Sequence, residues 1–424
     1  MKTLVETLFA CLLTTSLAFA QTPGQDVARV LSNPKVKAAH EFIDKDHDRI
    51  VRDLITLTEI EAPPFKEMAR ARAYAQMLRE HGLKNVEIDA EGNTLGVREG
   101  VGDGPLIAIA AHLDTVFPAG TDVKVRRDGN RLIAPGIGDN SRALAVLLGI
   151  IRAMDQAKIQ TASNILFIGN VGEEGPGDLR GMKYLFQKGP YKDKIKMFVS
   201  VDGAGDGGDI VNGALGSRRF KVTFKGPGGH SYGSFGLVNP AYALAKAIDR
   251  FSRTQVPAVP ATTFNVGVIG GGTSVNSIPF EAWMEVDLRS ESLDELNKLV
   301  NIFATHMRTA VDEENRTRAT NQGQISVDMK LMGDRPTGVT LTTTQLVQTT
   351  AAVARAFNLQ PRYSIGSTDA NIPISMNIPA ITLASGGTGG RAHALDEWID
   401  VEKTASVRGI NALITTLLTL AGAR

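Results

Sequence analysis

Cysteine is almost absent: 424 residues carry one, Cys11. It lies in an N-terminal stretch with the marks of a cleavable export signal. Lys2 gives a basic start, residues 8–20 are mostly apolar, and Ala18-Phe19-Ala20 precedes Gln21. Cleavage after Ala20 would leave a mature chain without cysteine, excluding disulfides and thiolate ligands, so histidines and carboxylates must do any metal binding. Charge bias is lacking too. Lys and Arg number 46 against 45 Asp and Glu, a net charge of +1, which makes no electrostatic case for a nucleic-acid or anionic-membrane partner. No run approaches the ~20 apolar residues of a transmembrane helix, so no membrane span is expected. The expectation is a secreted or periplasmic protein. Lipid anchoring is the alternative, since Leu8-Phe9-Ala10-Cys11 loosely matches a lipoprotein site, although the apolar run continues past Cys11 and Phe9 is bulky there.

The remaining chain has ample core material, 43% hydrophobic residues, and a length that suits at least two domains. Residues 21–57 and 66–81 carry helical spacing. Residues 106–110, 164–168 and 197–201 are continuous apolar runs of strand length, with a helix expected over 141–155. Strands alternating with helices predict an α/β domain built on a mainly parallel sheet. Between 214 and 333 the pattern changes to strand, helix, strand, strand, helix, strand, at about 218–224, 239–253, 262–268, 282–288, 293–311 and 325–331. That order predicts an inserted α+β (ferredoxin-like) unit. The α/β pattern then resumes, with helices over 343–357 and 401–420 and short apolar runs at 372–374 and 380–383. The expected division is a signal at 1–20, an α/β domain from 21–213 and 334–424, and an insertion at 214–333.

Chemistry concentrates after the apolar runs. His112 in HLDTV, Asp139 in GIGDN, Glu174 in GEEG, Asp202 in SVDG and His393 in RAHALDE are two imidazoles and three carboxylates. Such a set suits a pair of borderline divalent ions, zinc by default, with cobalt or manganese as substitutes. One carboxylate shared between the ions would leave two protein ligands for each. Adjacent Glu173 and Glu174 repel one another unless a cation lies between them; with Glu174 as ligand, Glu173 is free to act as general base towards an activated water. Asp114 stands two residues after His112, on the same side of an extended segment, and is expected to bond the far ring nitrogen of His112.

Each residue also has a plainer reading. Alone, His112 would be a turn histidine, Asp139 a helix cap and Asp202 a turn aspartate. The glycine-rich run before His393 would be a flexible loop, and Glu173-Glu174 a solvated acidic loop. The other histidines, His40, His47, His81 and His306, are read as surface residues. His230 in GGHS could donate to a developing oxyanion. Arg289 in VDLR and Asn276 in SVNS are candidate substrate contacts. A turn histidine, a surface salt bridge and a turn are the respective alternatives for these three.

The ordered motifs HLDTV, GDN, GEEG, VDG, GGHS, VDLR and RAHALDE resemble the M20 family of metallopeptidases, in particular its peptidase T-like exopeptidase branch, related to carboxypeptidase G and the aminoacylases. The resemblance covers nearly all of the mature chain. It implies two zinc ions per subunit, with Asp139 bridging them. His112 and Asp202 would complete one site, and Glu174 and His393 the other. Glu173 would be the general base and Asp114 a supporting carboxylate, and the peptide bond after Asp139 would be cis. It further implies a homodimer formed through the inserted domain, His230 acting across it, and Asn276 and Arg289 contacting substrate. Asp at position 202 is similar to aminopeptidase and dipeptidase members, and Ser367-Thr368-Asp369-Ala370-Asn371 to the tripeptidase branch. The function expected is metal-dependent release of N-terminal residues from short peptides. A deacylase or carboxypeptidase acting on N-acyl amino acids or another small amide is the nearest alternative, and a non-catalytic metal- or peptide-binding protein the alternative of another class.

Overall fold

The computed structural model describes residues 22–424. The expected signal segment and Cys11 lie outside the described residues. The three long apolar runs form central strands of a nine-stranded sheet: Gly104–His112, Ser163–Asn170 and Ile195–Val201. Together with Ala380–Leu383 they run side by side and parallel. Thr94–Arg98 and Lys84–Ile88 extend one side antiparallel, and Asp209–Ala214 the other. The fold is therefore α/β with a mainly parallel sheet, as the alternation of runs predicts. Apolar side chains leave both faces. Ile107, Ile109 and Ala111 join one core, beneath helices Pro34–Thr58, Arg142–Gln156 and Lys403–Leu420. Ala108 and Ala110 join the opposite core, against Leu185 and Phe186 of the helix Arg180–Gln187. Of the two short apolar runs near the C-terminus, 380–383 is a strand, while 372–374 lies in the short helix Asn371–Ser375.

Helix Pro34–Thr58 shows how local sequence sets burial. Asn33 caps it by accepting from the Lys35 amide at 2.9 Å, and Val36, Ala39, Ile43, Ile50 and Leu54 form its buried stripe. His47 falls on that stripe and is 4% exposed, which corrects its reading as a surface residue. Helical period, rather than polarity, decided its place. His40, about two turns earlier at the stripe's margin, is half-buried, with Nε2 3.0 Å from Thr415 Oγ1.

A second sheet of four strands is antiparallel throughout, in the spatial order Thr262–Gly271, Glu281–Ser290, Gly216–Lys225, Ser326–Arg335. Helices Pro240–Ser252 and Leu293–Thr317 pack on one face. Residues of Glu281–Ser290 alternate strictly: Ala282, Met284, Val286 and Leu288 are buried, while Trp283, Glu285, Asp287 and Arg289 line the other face. Phe224, Phe251 and Phe303 fill this separate core, each contributing about 1.5–3 kcal/mol by leaving water. Its last strand ends at Arg335, which reaches back to the main sheet.

Candidate metal centre

Parallel strands bring their carboxyl ends to one edge, and the sequence places polar residues just beyond each end. His112 terminates its strand, in register with Asn170 of the next. Glu173 and Glu174 follow that neighbour, and Asp202 follows Ile195–Val201. Asp139 arrives on an irregular segment, Ile137–Ser141, entered through Gly136 at φ +74°. A Cβ on Gly136 would lie 2.5 Å from Thr115 Cγ2, so both conformation and space demand glycine there. The Asp139–Asn140 peptide is cis, as the resemblance implied. Asn140 Nδ2 donates to Val201 O at 2.8 Å, tying this segment to the strand that leads to Asp202. His393 follows the strand Thr388–Gly390 and has φ +67°.

These five side chains converge. Asp139 divides its oxygens: Oδ1 lies 2.9 Å from His112 Nε2, and Oδ2 lies 3.1 Å from His393 Nε2. Asp202 Oδ1 is 3.7 Å from the same His112 nitrogen, and Glu174 Oε1 is 3.3 Å from the same His393 nitrogen. Ligand atoms of His112, Asp139 and Glu174 all lie within 4.8 Å of one another. His112 Nε2 and Asp139 Oδ1 face each other outside hydrogen-bond geometry, and neither has a hydrogen-bond partner among the described residues. Two buried lone-pair donors in that arrangement fit a cation between them.

Electrostatics agree. Burial opposes a charge on His112, but the Asp139 and Asp202 carboxylates outweigh it and hold its pKa well above the ordinary value. His393 is raised to about 10 by Asp139 and Glu174. Burial works against Asp139 as well, yet both imidazoles hold its carboxyl below the usual range. The cluster is negative and stabilises positive charge at both imidazole faces.

The supporting contacts differ in one respect from expectation. His112 Nδ1 donates to the main-chain oxygen of Asp114 at 3.0 Å, while the nearest Asp114 carboxylate oxygen is 3.8 Å away. That carboxylate instead accepts from the amides of Glu173 and Glu174, at 3.1 and 2.8 Å. The strand ends at His112, so the two-residue alternation no longer aims the Asp114 side chain at the ring. The outcome for His112 is the same: Nδ1 is taken by a main-chain oxygen, and Nε2 is turned towards Asp139 and Asp202. The outcome for Asp114 is control of the loop bearing both glutamates.

Three residues that local motifs did not single out complete the site. Glu397 is buried and accepts from the amides of Gly136, Gly138 and Asp139 at 3.1, 2.7 and 2.8 Å, holding the Asp139 segment. Burial raises its pKa to about 7 despite those bonds. Arg335 is 4% exposed; its Nη1 donates to Glu173 Oε1 at 3.1 Å and to Ser367 Oγ at 3.0 Å, and its Nη2 to the Glu173 main-chain oxygen. Burial lifts the pKa of Glu173 well above normal, and Arg335 opposes that shift. Asp369, also buried, accepts from Asn170 Nδ2 at 2.8 Å and is raised to about 7, chiefly by burial. Glu397 and Asp369 lay within quoted motifs, whereas Arg335, in Gly333-Asp334-Arg335-Pro336, carried no pattern at all.

The other expected residues lie outside this cluster: Arg289 on the second sheet, His230 on a separate two-stranded ribbon with Ser277–Ile278, and Asn276 in the turn before that ribbon. His230 is exposed, and its Nδ1 accepts from the amides of Tyr232 and Gly233 at 3.2 Å. Asn276 lies in an exposed turn, bonded to Ser274 at 2.5 Å, and its main chain accepts from Ser231. Arg289 donates to Asp287 at 2.7 Å, the salt bridge of its plainer reading.

A family model described as peptidase family M20/M25/M40 matches residues 108–419, and the chain belongs to that family. It is accordingly a hydrolase of the metal-dependent kind that acts on amide bonds. A succinyl-diaminopimelate desuccinylase of Corynebacterium glutamicum is 24% identical over 84% of this chain and 92% of its own. A relative from Pyrococcus abyssi is 38% identical, but the match spans 34% of that protein's length. Among solved structures, aminopeptidase PepT of Bacillus cereus superposes with a TM-score of 0.70 at 22% identity, over 88% of this chain and 99% of that one. The Bacillus subtilis YXEP protein, described as a dinuclear metal-binding peptidase of the M20 family, gives 0.62 at 17% identity, over 88% and 98%. Among the described residues no helix is long and apolar enough to cross a membrane.

Proposed function

We propose that this protein is an exported, di-zinc exopeptidase that removes N-terminal residues from short peptides. The observation that carries the reading is the divided Asp139 carboxylate: each oxygen faces one imidazole, and each of those imidazole nitrogens has one further carboxylate, Asp202 at 3.7 Å or Glu174 at 3.3 Å. His112 and Asp202 would hold one ion, Glu174 and His393 the other, with Asp139 common to both. When bound, such ions polarise a carbonyl and make water acidic enough to ionise near neutral pH. Glu173, free of the proposed ligand set, takes a proton from the attacking water and returns it to the leaving amine. Asp114 and Arg335 fix the loop from which Glu173 acts. His230 would stabilise the oxyanion from a partner subunit, a role its exposure favours. Asn276 and Arg289 would contact substrate once the inserted unit closes as a lid, and its outer strand would join subunits in a homodimer. Export rests on the N-terminal signal pattern alone.

The desuccinylase likeness favours a second reading, removal of an acyl group from an N-acyl amino acid, by the same residues. The two separate on one experiment. Mature, zinc-loaded protein is given a tripeptide and its N-acetylated twin, with and without chelator, and products are identified by mass spectrometry. Chelator-sensitive release of the first residue from the free tripeptide alone is expected. Loss of the acyl group from the acetylated twin would transfer the assignment to a deacylase, and cleavage of neither would remove both.

A further inference from the structure

We propose that the interior behind the metal centre holds a small monovalent anion of the halide class, bound by the guanidinium of Arg142. This residue opens the helix Arg142–Gln156, three positions after Asp139, and its side chain is wholly buried. Its Nε, Nη1 and Nη2 all lack a hydrogen-bond partner among the described residues. A guanidinium carries five N–H donors and stays charged in proteins. The other deeply buried arginines each keep partners for at least one guanidinium nitrogen, although Arg152 Nη2 and Arg335 Nε have none among the described residues. Arg70 donates to the main-chain oxygens of Thr58, Ile60 and Leu113, Arg152 meets Asp46 and Asp53, and Arg335 meets Glu173. Arg142 has neither carbonyl nor carboxylate. A buried charge persists when something neutralises it.

Two further observations point the same way. Ser141 Oγ and His47 Nε2 are also buried without a hydrogen-bond partner. Ser141 precedes Arg142, and His47 belongs to the helix packed on Arg142's own. After burial, the Arg142 charge is the next cause that lowers the pKa of His47, which places the two side chains within electrostatic reach. In addition, Arg142 stands at the positive end of a 15-residue helix that has no side-chain cap. A cation there is opposed by the helix dipole, whereas an anion is favoured by it. One unmatched positive charge sets the valence at one. Burial of the guanidinium favours a small ion that loses its hydration cheaply and makes no directional demands. Seated there, the anion would pin the helix N-terminus that continues from the Asp139 segment.

The test is thermal melting of metal-loaded protein across a bromide series, with gluconate replacing bromide at constant ionic strength. For a chain of this size, a hundredfold rise in bromide above its dissociation constant should raise the melting temperature by roughly 3 °C. Arg142→Met should lose that dependence. Equal bromide responses in wild type and variant would overturn the proposal, as would a wild type that does not respond. Should the variant fail to fold, crystals of wild-type protein grown in bromide decide the matter. An anomalous peak in contact with the guanidinium is expected, and ordinary water there would refute the anion.

Discussion

Replacing Arg335 with methionine should slow turnover far more at acid and neutral pH than at alkaline pH. Arg335 Nη1 lies 3.1 Å from Glu173 Oε1, and the two side chains are 4% and 8% exposed, so solvent screens the pair little. Burial already pushes the Glu173 pKa up, and Arg335 is the first influence opposing it. An opposite charge at this range lowers a carboxyl pKa by about 1–3 units, so its removal should raise Glu173 by a similar amount. A general base acts when deprotonated. Each unit of increase therefore cuts the competent fraction tenfold on the acid side, and kcat should fall by roughly 10- to 1000-fold there. As pH rises through the new value, the deprotonated form returns and kcat recovers. Stability moves oppositely: a carboxyl whose folded pKa is raised costs nothing below its unfolded value of about 4.3, and stability is lost from there as pH climbs through the folded pKa. Where Glu173 must ionise unpaired, the loss should approach the ~3–5 kcal/mol of a broken buried pair. The assay is kcat and KM on a tripeptide across pH with metal saturating, alongside melting temperature at each pH. Arg335→Lys should restore part of the shift. A uniform fall in kcat with an unmoved acid limb would refute electrostatic control of Glu173 by Arg335.

Glu173→Gln should bind metal as wild type does, yet lose nearly all turnover; metal content by plasma emission and kcat on the same sample check this, and near-normal kcat would remove the base assignment. Glu397→Gln exchanges an accepting oxygen for an amide group facing the Gly136, Gly138 and Asp139 N–H groups, and should weaken zinc binding about 10- to 100-fold in a chelator competition. Unchanged affinity would show that the Asp139 segment holds itself. His40 has its pKa lowered to about 4 by burial, so its neutral form is the one that the fold accepts. Stability is intact above the unfolded value near 6.5 and falls as pH drops towards 4, by at most about 3 kcal/mol. Urea unfolding of wild type and His40→Gln at both ends of that window should show the smaller acid loss in the variant. Equal losses would exclude His40 as a source.

What could be read from the sequence divides by how far each contact spans the chain. His112, Glu174 and Asp202 were legible because each closely follows an apolar run, and parallel pairing of those runs puts their ends on one edge. The order of strands and helices after residue 214 was legible for the same reason: alternation and helical period are local properties. Asp139 and His393 were recognisable as motifs, but their positions depend on the Glu397 clamp and on left-handed backbone at Gly136 and His393. Arg335 reaches Glu173 across 162 positions, and Asn170 reaches Asp369 across 199. Local periodicity carries no information about such pairs. Asp114 shows the boundary sharply. Alternation aimed its carboxylate at the ring of His112, yet the strand stops two residues before Asp114, and the main-chain oxygen meets the ring instead. Arg142 shows the converse: it falls within a helix of 13 buried residues that an apolar pattern predicts, and the pattern conceals a buried charge. A local pattern thus predicts that a residue will be buried, while its charge decides what must be buried with it.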